Sequence, residues 1–386
     1  MPIKLFLFFL VLCSSHMISS CGSEQETENV DDSTELPDQS EPPSADDSND
    51  QVAGIGEARD ISSFELVDEM GVGWNLGNYF DVQSRDKTLW GNPKPTKSVI
   101  DAVKRMGFKT LRIPITWGYH QSENAPYTIE ESYLNEIKEV VDFGFQNKMH
   151  VIINVHHDNE WVIPTASGAV KSKDRLSSLW TQVANVFQPY NDSLIFETLN
   201  EPRLEGSPEE WSGGTSEGRK FINEFHQVAV DAIRATGGNN AKRHIMISTW
   251  AASTVSAAMD ELVIPNDDPN IMISLHSYFP WPFAGEASIA WGSDNDKNEL
   301  QNELERIRQK WIVEENRPVI LGEWGTIDKN DISSRVNYAE FYASEAARRG
   351  LLTMVWDDGG MFRLYDRHSL SWVHENIAST IVRASE

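Results

Sequence analysis

Two glutamates stand at the ends of apolar, β-prone runs. Glu201 closes "LIFETLNE" (Leu194–Glu201), and Glu323 lies near the end of "PVILGEW" (Pro318–Trp324). Two carboxyl groups facing one substrate bond are the apparatus of glycoside hydrolysis, in which one must be protonated and the other ionised. Their neighbours divide the labour. Arg112 of "TLRIPI" and Tyr278 of "IMISLHSY" could hold Glu323 as a carboxylate. Glu201 has the neutral amide of Asn200 beside it and no predicted cation, which makes it the better proton donor, and Pro202 fixes the chain after it. Asn200 is placed to hydrogen-bond a sugar hydroxyl. Asn75, His156, His157, His276, Trp324, Trp356 and Asp357 also fall at or near the ends of β-prone runs. Each has a plainer reading: Glu201 could open a helix with Pro202 as its first residue, His156 could be a satisfied core histidine, and Glu323 could be a buried partner of Arg112. Their common position at one end of successive strands favours a shared site.

Other chemistries fit less well. "HHD" invites a metal, but adjacent residues on a strand point to opposite faces, so His156 and His157 are not expected to share an ion. No HExxH occurs, and the two cysteines, Cys13 and Cys21, both lie in the first 21 residues. No GxSxG elbow follows a strand. Neither a metal nor any other cofactor is expected. The 13 tryptophans include Trp90, Trp161, Trp281 and Trp356 in loops or at strand ends, where flat rings suit stacking on pyranose faces.

The elements that must position these groups repeat along the chain. Strand candidates run over Gly71–Leu76, Thr110–Ile115, His150–His157, Leu194–Glu201, His244–Thr249, Ile271–Tyr278, Pro318–Trp324 and Leu352–Asp358. Several are nearly continuous in apolar residues, as expected of strands covered on both faces. Between them lie amphipathic stretches such as Thr96–Gly107, Ser132–Gly144, Arg219–Gly237 and Asn337–Gly350, each closing on glycine. Eight such repeats predict an α/β fold, a (β/α)8 TIM barrel over residues 61–386, with active-site groups at the C-terminal strand ends. An open doubly wound sheet is the rival, and the absence of GxGxxG after the first strand weighs against it.

The N-terminal end differs. Residues 1–20 carry Lys4, the apolar run Leu5–Leu12 and then small residues, the pattern of a secretory signal. "ISSC" (Ile18–Cys21) resembles a bacterial lipobox, which predicts lipidation of Cys21 and attachment to a bacterial membrane, at the outer membrane or cell surface, through that lipid alone. Residues 21–60 hold 13 Asp/Glu, one Arg and no aromatic residue. Such a segment cannot bury enough apolar surface to order itself and reads as a disordered acidic linker. The remaining chain carries −15 of the total −26, a poor partner for nucleic acid.

The sequence from about residue 61 onward resembles glycoside hydrolase family 5. It is most similar to the endoglucanase and xyloglucanase group called subfamily 4. The resemblance rests on "GWNLGN" (73–78), "WGNPKPTKSVIDAVKRMGFKTLRIPITWG" (90–118), "VIINVHHDNEW" (151–161), "LIFETLNEPRLEG" (194–206), "GGNNAKRH" (237–244), "SLHSYFPWPFAG" (274–285) and "GEWG" (322–325). It implies a retaining endo-β-1,4-glucanase with Glu201 as acid/base and Glu323 as nucleophile. Arg112, His156, Asn200, His276, Tyr278 and Trp356 would build the site around the cleaved bond, and His157 would line the cleft. It implies a β-1,4-linked polysaccharide substrate, and a monomer is expected. Trp324 and Asp358 stand where relatives commonly have Phe and Asn, an expected change to an aromatic wall and an added charge. The alternatives are a preference for xyloglucan, xylan or mannan, and a non-catalytic surface protein that binds glycans.

Overall fold

The computed structural model describes residues 53–386. The expected signal, Cys21 and most of the acidic linker lie outside the described residues. Eight parallel strands follow one another in chain order: β1 (Gly73–Asn75), β2 (Thr110–Ile113), β3 (His150–Asn154), β4 (Leu194–Glu197), β5 (Ile245–Ser248), β6 (Ile271–His276), β7 (Val319–Trp324) and β8 (Leu351–Val355). β8 pairs back onto β1 and closes the barrel. The expected (β/α)8 barrel is therefore the fold. The helices are α1 (Ser63–Met70), α2 (Lys97–Met106), α3 (Glu131–Gln146), α4 (Ala169–Phe187), α5 (Ser216–Ala235), the short α6 (Ser256–Asp260) and α7 (Trp281–Ala284), α8 (Asp294–Arg308), α9 (Ile332–Arg348) and α10 (Glu375–Ala384). In α2 the buried face is Val99, Ile100, Ala102 and Val103, and Gly107 ends the helix at φ +115°, where a Cβ would also meet Val382 at 2.6 Å.

Strand alternation sorts the barrel into two apolar layers. Leu111, Ile113, Val151, Ile153, Phe196, Ile247, Ile273 and Leu321 face the helices. Ile152, Ile195, Met246, Met272, Ile320, Leu352 and Met354 fill the interior together with Leu66, Val67 and Met70 of α1. α1 thus stoppers the N-terminal end of the barrel. Its start is fixed by a capping box: Ser62 Oγ accepts from the Glu65 amide, and the Ser62 amide donates to Glu65 Oε2 at 2.8 Å. Two residues past Ile152, Ile195, Met246 and Met272, the same strands carry Asn154, Glu197, Ser248 and Ser274, all buried. The interior turns from apolar to polar at that level, and the site begins there.

β7 departs from regular alternation. Leu275 of β6 pairs with Leu321, but His276 pairs with Glu323, so Gly322 is an extra residue in the ladder. Strict alternation would put Glu323 on the face of Leu321, toward the helices. The bulge re-aims it inward and sends Trp324 outward.

The domain also starts earlier than residue 61. Ile55 forms a bridge with Tyr190, the Ala58 amide donates to Asn239 Oδ1 at 2.9 Å, and Arg59 Nη2 lies 2.6 Å from Asp192 Oδ2. Composition placed residues 53–60 in the linker because they hold no aromatic residue. Local pairing with the loops before β4 and β5 overrides that composition.

Candidate active site

Arg112 is the hub. It leaves β2 into the barrel and is fully buried. Its Nε donates to Glu197 Oε2 at 2.8 Å, Nη1 to Asn75 Oδ1 at 2.8 Å and to Glu323 Oε1 at 2.9 Å, and Nη2 to Asn200 Oδ1 at 2.6 Å. Glu197, on β4, also accepts from Asn154 Nδ2 at 2.9 Å and Ser274 Oγ at 2.5 Å. A guanidinium taken out of water is tolerable only when its donors are used and its charge is met, and here both conditions hold. Asn75 is held in turn by the carbonyls of Gly322 and Met354.

Around this hub lie the two predicted glutamates. Glu323 accepts from Arg112 through Oε1 and from the Tyr278 hydroxyl through Oε2 at 3.0 Å. Glu201 Oε1 lies 2.8 Å from His276 Nδ1, and the same nitrogen lies 3.6 Å from Glu323 Oε2. Glu201, His276 and Glu323 offer atoms all within 4.8 Å of one another. Burial opposes the His276 charge, but Glu323 and the hydrogen bond to Glu201 outweigh it and raise the imidazole above its ordinary value. Burial pushes the Glu201 carboxyl up, yet His276, Arg203 and His157 together bring it below the usual range. Burial and the charge of Glu201 lift Glu323, against the pull of His276 and Arg112. His276 and Glu201 are thus joined by a 2.8 Å hydrogen bond along which a proton can pass between them. This corrects the expectation that Glu201 has no cation nearby: His276 comes from β6 and Arg203 from the turn after Pro202.

The remaining predicted residues gather at the same mouth. Asn200 Nδ2 approaches His156 Nε2 at 3.4 Å, and the His156 ring lies parallel to Trp356 at 5.8 Å. His157 meets His156 edge-on at 4.4 Å and Trp90 at 5.8 Å. Burial holds the His157 imidazole down at about 4 and His156 well below its ordinary value. The strand argument that separated the two histidines does not hold, because β3 ends at Asn154 and both lie on the turn beyond it. Asp81, His156 and His157 in fact offer atoms within 4.8 Å of one another. Two further expectations change. Trp324 is buried and stacks on Tyr342 of α9 at 4.2 Å, so it is core and no part of a cleft wall. Trp161 carries the Arg175 guanidinium 4.4 Å over its ring, which occupies that face. Asp358 is buried; its Oδ1 accepts from the amides of Gly360 and Phe362 at 2.7 and 2.9 Å, while burial raises its carboxyl.

Beside Glu201 a cavity of about 830 Å³ opens, lined by Trp211, Ser253, Thr254, His276, Tyr278, Phe279, Trp281 and Phe362. Sequence reading missed Glu197, Arg203 and Trp211. Glu197 left a signal, since a carboxylate in the middle of the apolar run "LIFETL" demands a buried cation.

A closed eight-stranded barrel with two glutamates converging past β4 and within β7 defines the barrel glycoside hydrolases. The chain matches the cellulase family, glycosyl hydrolase family 5, over residues 68–361 and belongs to it. It is 46% identical over 336 residues to cellulase/esterase CelE of Acetivibrio thermocellus, covering 85% of this chain and 41% of that protein's length. The structure of ZgEngAGH5_4 in complex with a cellotriose superposes with a TM-score of 0.84 at 50% identity, covering 85% of this chain and 100% of the other. A GH5-4 broad specificity endoglucanase from Clostridium acetobutylicum gives 0.82 at 46% identity, covering 84% and 100%.

Proposed function

We propose that this chain is a retaining endo-β-1,4-glucanase of cellulose-like glucans, with Glu323 as nucleophile and Glu201 as acid/base. The observation that carries this reading is that one carboxyl oxygen of Glu201 and one of Glu323 lie within 4.8 Å of each other. Retaining pairs stand roughly 5–5.5 Å apart, whereas inverting pairs need about 6.5–9.5 Å to admit a water. Relatives named as endoglucanases, one of them broad in specificity, support the substrate class.

In the first half, Glu323 attacks the anomeric carbon, oriented by Arg112 and Tyr278. Glu201, armed through His276, protonates the departing sugar oxygen. In the second half Glu201 takes a proton from water as that water displaces Glu323. Asn200 and His156 meet the sugar hydroxyls, and Trp356 offers a ring to its face. All these groups come from one chain, which suits a monomeric catalyst. A second reading, preference for xyloglucan or another β-1,4-glycan, is favoured by the 830 Å³ cavity beside Glu201, which offers room for a branched leaving group.

Incubating the protein with carboxymethylcellulose, lichenan, xyloglucan, xylan and mannan separates these readings. Cleavage of unbranched glucan, with the β-anomer appearing first by NMR, is the expected result. Xyloglucan turned over far faster than cellulose supports the second reading. No new reducing ends on any substrate, with binding retained, would leave only a glycan-binding protein. An α-anomer formed first defeats the retaining mechanism.

We further propose that Cys21 is lipidated and tethers the enzyme to a membrane, on the support of "ISSC" and the acidic stretch after it. Among the described residues no helix is long and apolar enough to cross a membrane. Cys21→Ala should release the protein to the soluble fraction, and a variant that stays membrane-bound defeats the anchor.

A further inference from the structure

Arg203 lies two residues past Glu201, beyond Pro202, and is 9% exposed. Its Nη1 donates to the main-chain oxygen of Glu201 at 2.9 Å and lies 3.5 Å from Glu201 Oε2. Its Nε donates to Glu210 Oε1 at 3.0 Å, and Nη2 lies 3.4 Å from Glu205 Oε1. The Trp211 ring covers the guanidinium at 4.4 Å. The loop that supplies Glu210 and Trp211 is itself fixed: Trp250 Nε1 donates to the Glu210 carbonyl at 2.8 Å, and the Gly206 amide to Glu210 Oε2 at 2.8 Å. Arg203 is thus a strut between a pinned loop and Glu201. Trp211 is 61% exposed and lines the cavity that Glu201 also lines.

Five ionisable groups face the Glu201 carboxyl: His157 from the turn after β3, Arg203 from the turn after β4, His276 from β6, Tyr278 just beyond β6 and Glu323 from β7. Of the three bases, His157 is held neutral at about 4 and His276 can lose its charge in the working pH range, while a guanidinium keeps it. The two halves of the reaction make opposite demands. The first needs Glu201 protonated and the second needs it ionised. A permanent cation at 3.5 Å favours the second.

We propose that Arg203, clamped by Trp211 and Glu210, is a positioning residue that holds Glu201 as the ionised base for the second half of the reaction. The proposal rests on the glucanase reading above. In that step water adds to the anomeric carbon of the glycosyl–Glu323 ester and its proton passes to Glu201. The bond to Glu323 breaks, and Glu323 leaves as a carboxylate.

The test uses 2,4-dinitrophenyl β-cellobioside, whose leaving group needs no proton, so the first half does not depend on Glu201. Arg203→Met should lower kcat by about tenfold, part of the general-base contribution. KM should fall in parallel, leaving kcat/KM close to the original, and azide should restore kcat because it attacks without a base. Trp211→Ala, a change on the exposed side of the clamp, should show the same split more weakly, and Arg203→Lys should recover part of kcat. A merely structural role would lower kcat/KM and give no azide response; that result overturns the proposal, as does an unchanged kcat in Arg203→Met. A native enzyme that leaves the substrate uncleaved overturns the glucanase reading first, and this proposal with it.

Discussion

Arg112 shows why single residues matter so much at this barrel mouth. Its charge is compensated by Glu197 below and Glu323 above, and removing one partner of such a buried pair costs about 3–5 kcal/mol. The same hydrogen bond that stabilises the fold therefore also orients the nucleophile. Arg112 and Glu323 were both legible as strand-end polar residues. Glu197 was not, because it stands in the middle of the β-prone run Leu194–Glu201, four residues before the end at which the run presents Glu201. The roles of the two strand-end glutamates can be separated by how each variant fails. In Glu201→Ala, an activated aryl cellobioside should still glycosylate Glu323, and the intermediate should accumulate because its hydrolysis lacks a base. Azide should then give a β-glycosyl azide. In Glu323→Ala, azide should enter the vacated face and give the α-product. Product anomers by NMR, and mass spectrometry of the trapped peptide, read both. An α-azide from Glu201→Ala, or a sugar trapped on another residue, reverses the assignment.

At the scale of elements, the strands were legible from their apolar runs, and their ends were not. β3 and β4 were expected to reach His157 and Glu201, but the ladders stop at Asn154 and Glu197. The residues beyond look β-prone because they pack at the barrel mouth, while their backbone has already left the sheet. α1 escaped notice because it is only 8 residues long, although its Ser62–Glu65 capping box is written in the sequence. The bulge in β7 had one sign, a glycine inside a strand. Gly322 does more than bend the chain: a Cβ there would lie 3.0 Å from Ser274 Oγ and 3.2 Å from His276 Nε2. Gly322→Ala should leave the barrel folded but push His276, and with it the hydrogen bond to Glu201. The expected outcome is a Tm within a few degrees of the native value and kcat/KM on unactivated cello-oligosaccharides down by roughly tenfold or more, the scale of a disturbed acid/base. Native kinetics in that variant would mean that the contact is not functional.

Across the whole molecule the same construction sets a pH limit. The barrel has histidines built into its packing as neutral rings. His226 sits between Thr198 Oγ1 at 2.7 Å and the Ser248 carbonyl at 2.8 Å, and it is fully buried. His244 ties the Ser63 hydroxyl of α1, at 3.0 Å, to the start of β5. Burial lowers each to about 4 from an ordinary 6.5. A base whose folded value is depressed keeps its full contribution above 6.5, and that contribution is lost as the pH falls toward 4, because only the unfolded chain takes up the proton in that window. Each ring is worth on the order of 3 kcal/mol across it. Asp81 works in the other direction: burial raises its carboxyl to about 7, so the fold loses stability as the pH rises from 3.8 toward 7. Burial raises Asp158, Asp357, Asp358 and Glu323 in the same sense, but it also lowers His150, His156 and His157 alongside His226 and His244, and the histidines prevail; partnered carboxylates such as Asp331, held near 2 by Ser333 and Ser334, add a further loss below 3.8. Tm should therefore fall steeply between pH 6.5 and 4. His226→Asn should begin with a lower Tm at pH 7, because its hydrogen bonds are imperfectly replaced, and lose less of it on acidification. Calorimetry at half-unit steps of pH checks both. A Tm that stays level from 6.5 to 4, or an equal slope in the variant, would show that these buried rings do not govern the acid limit.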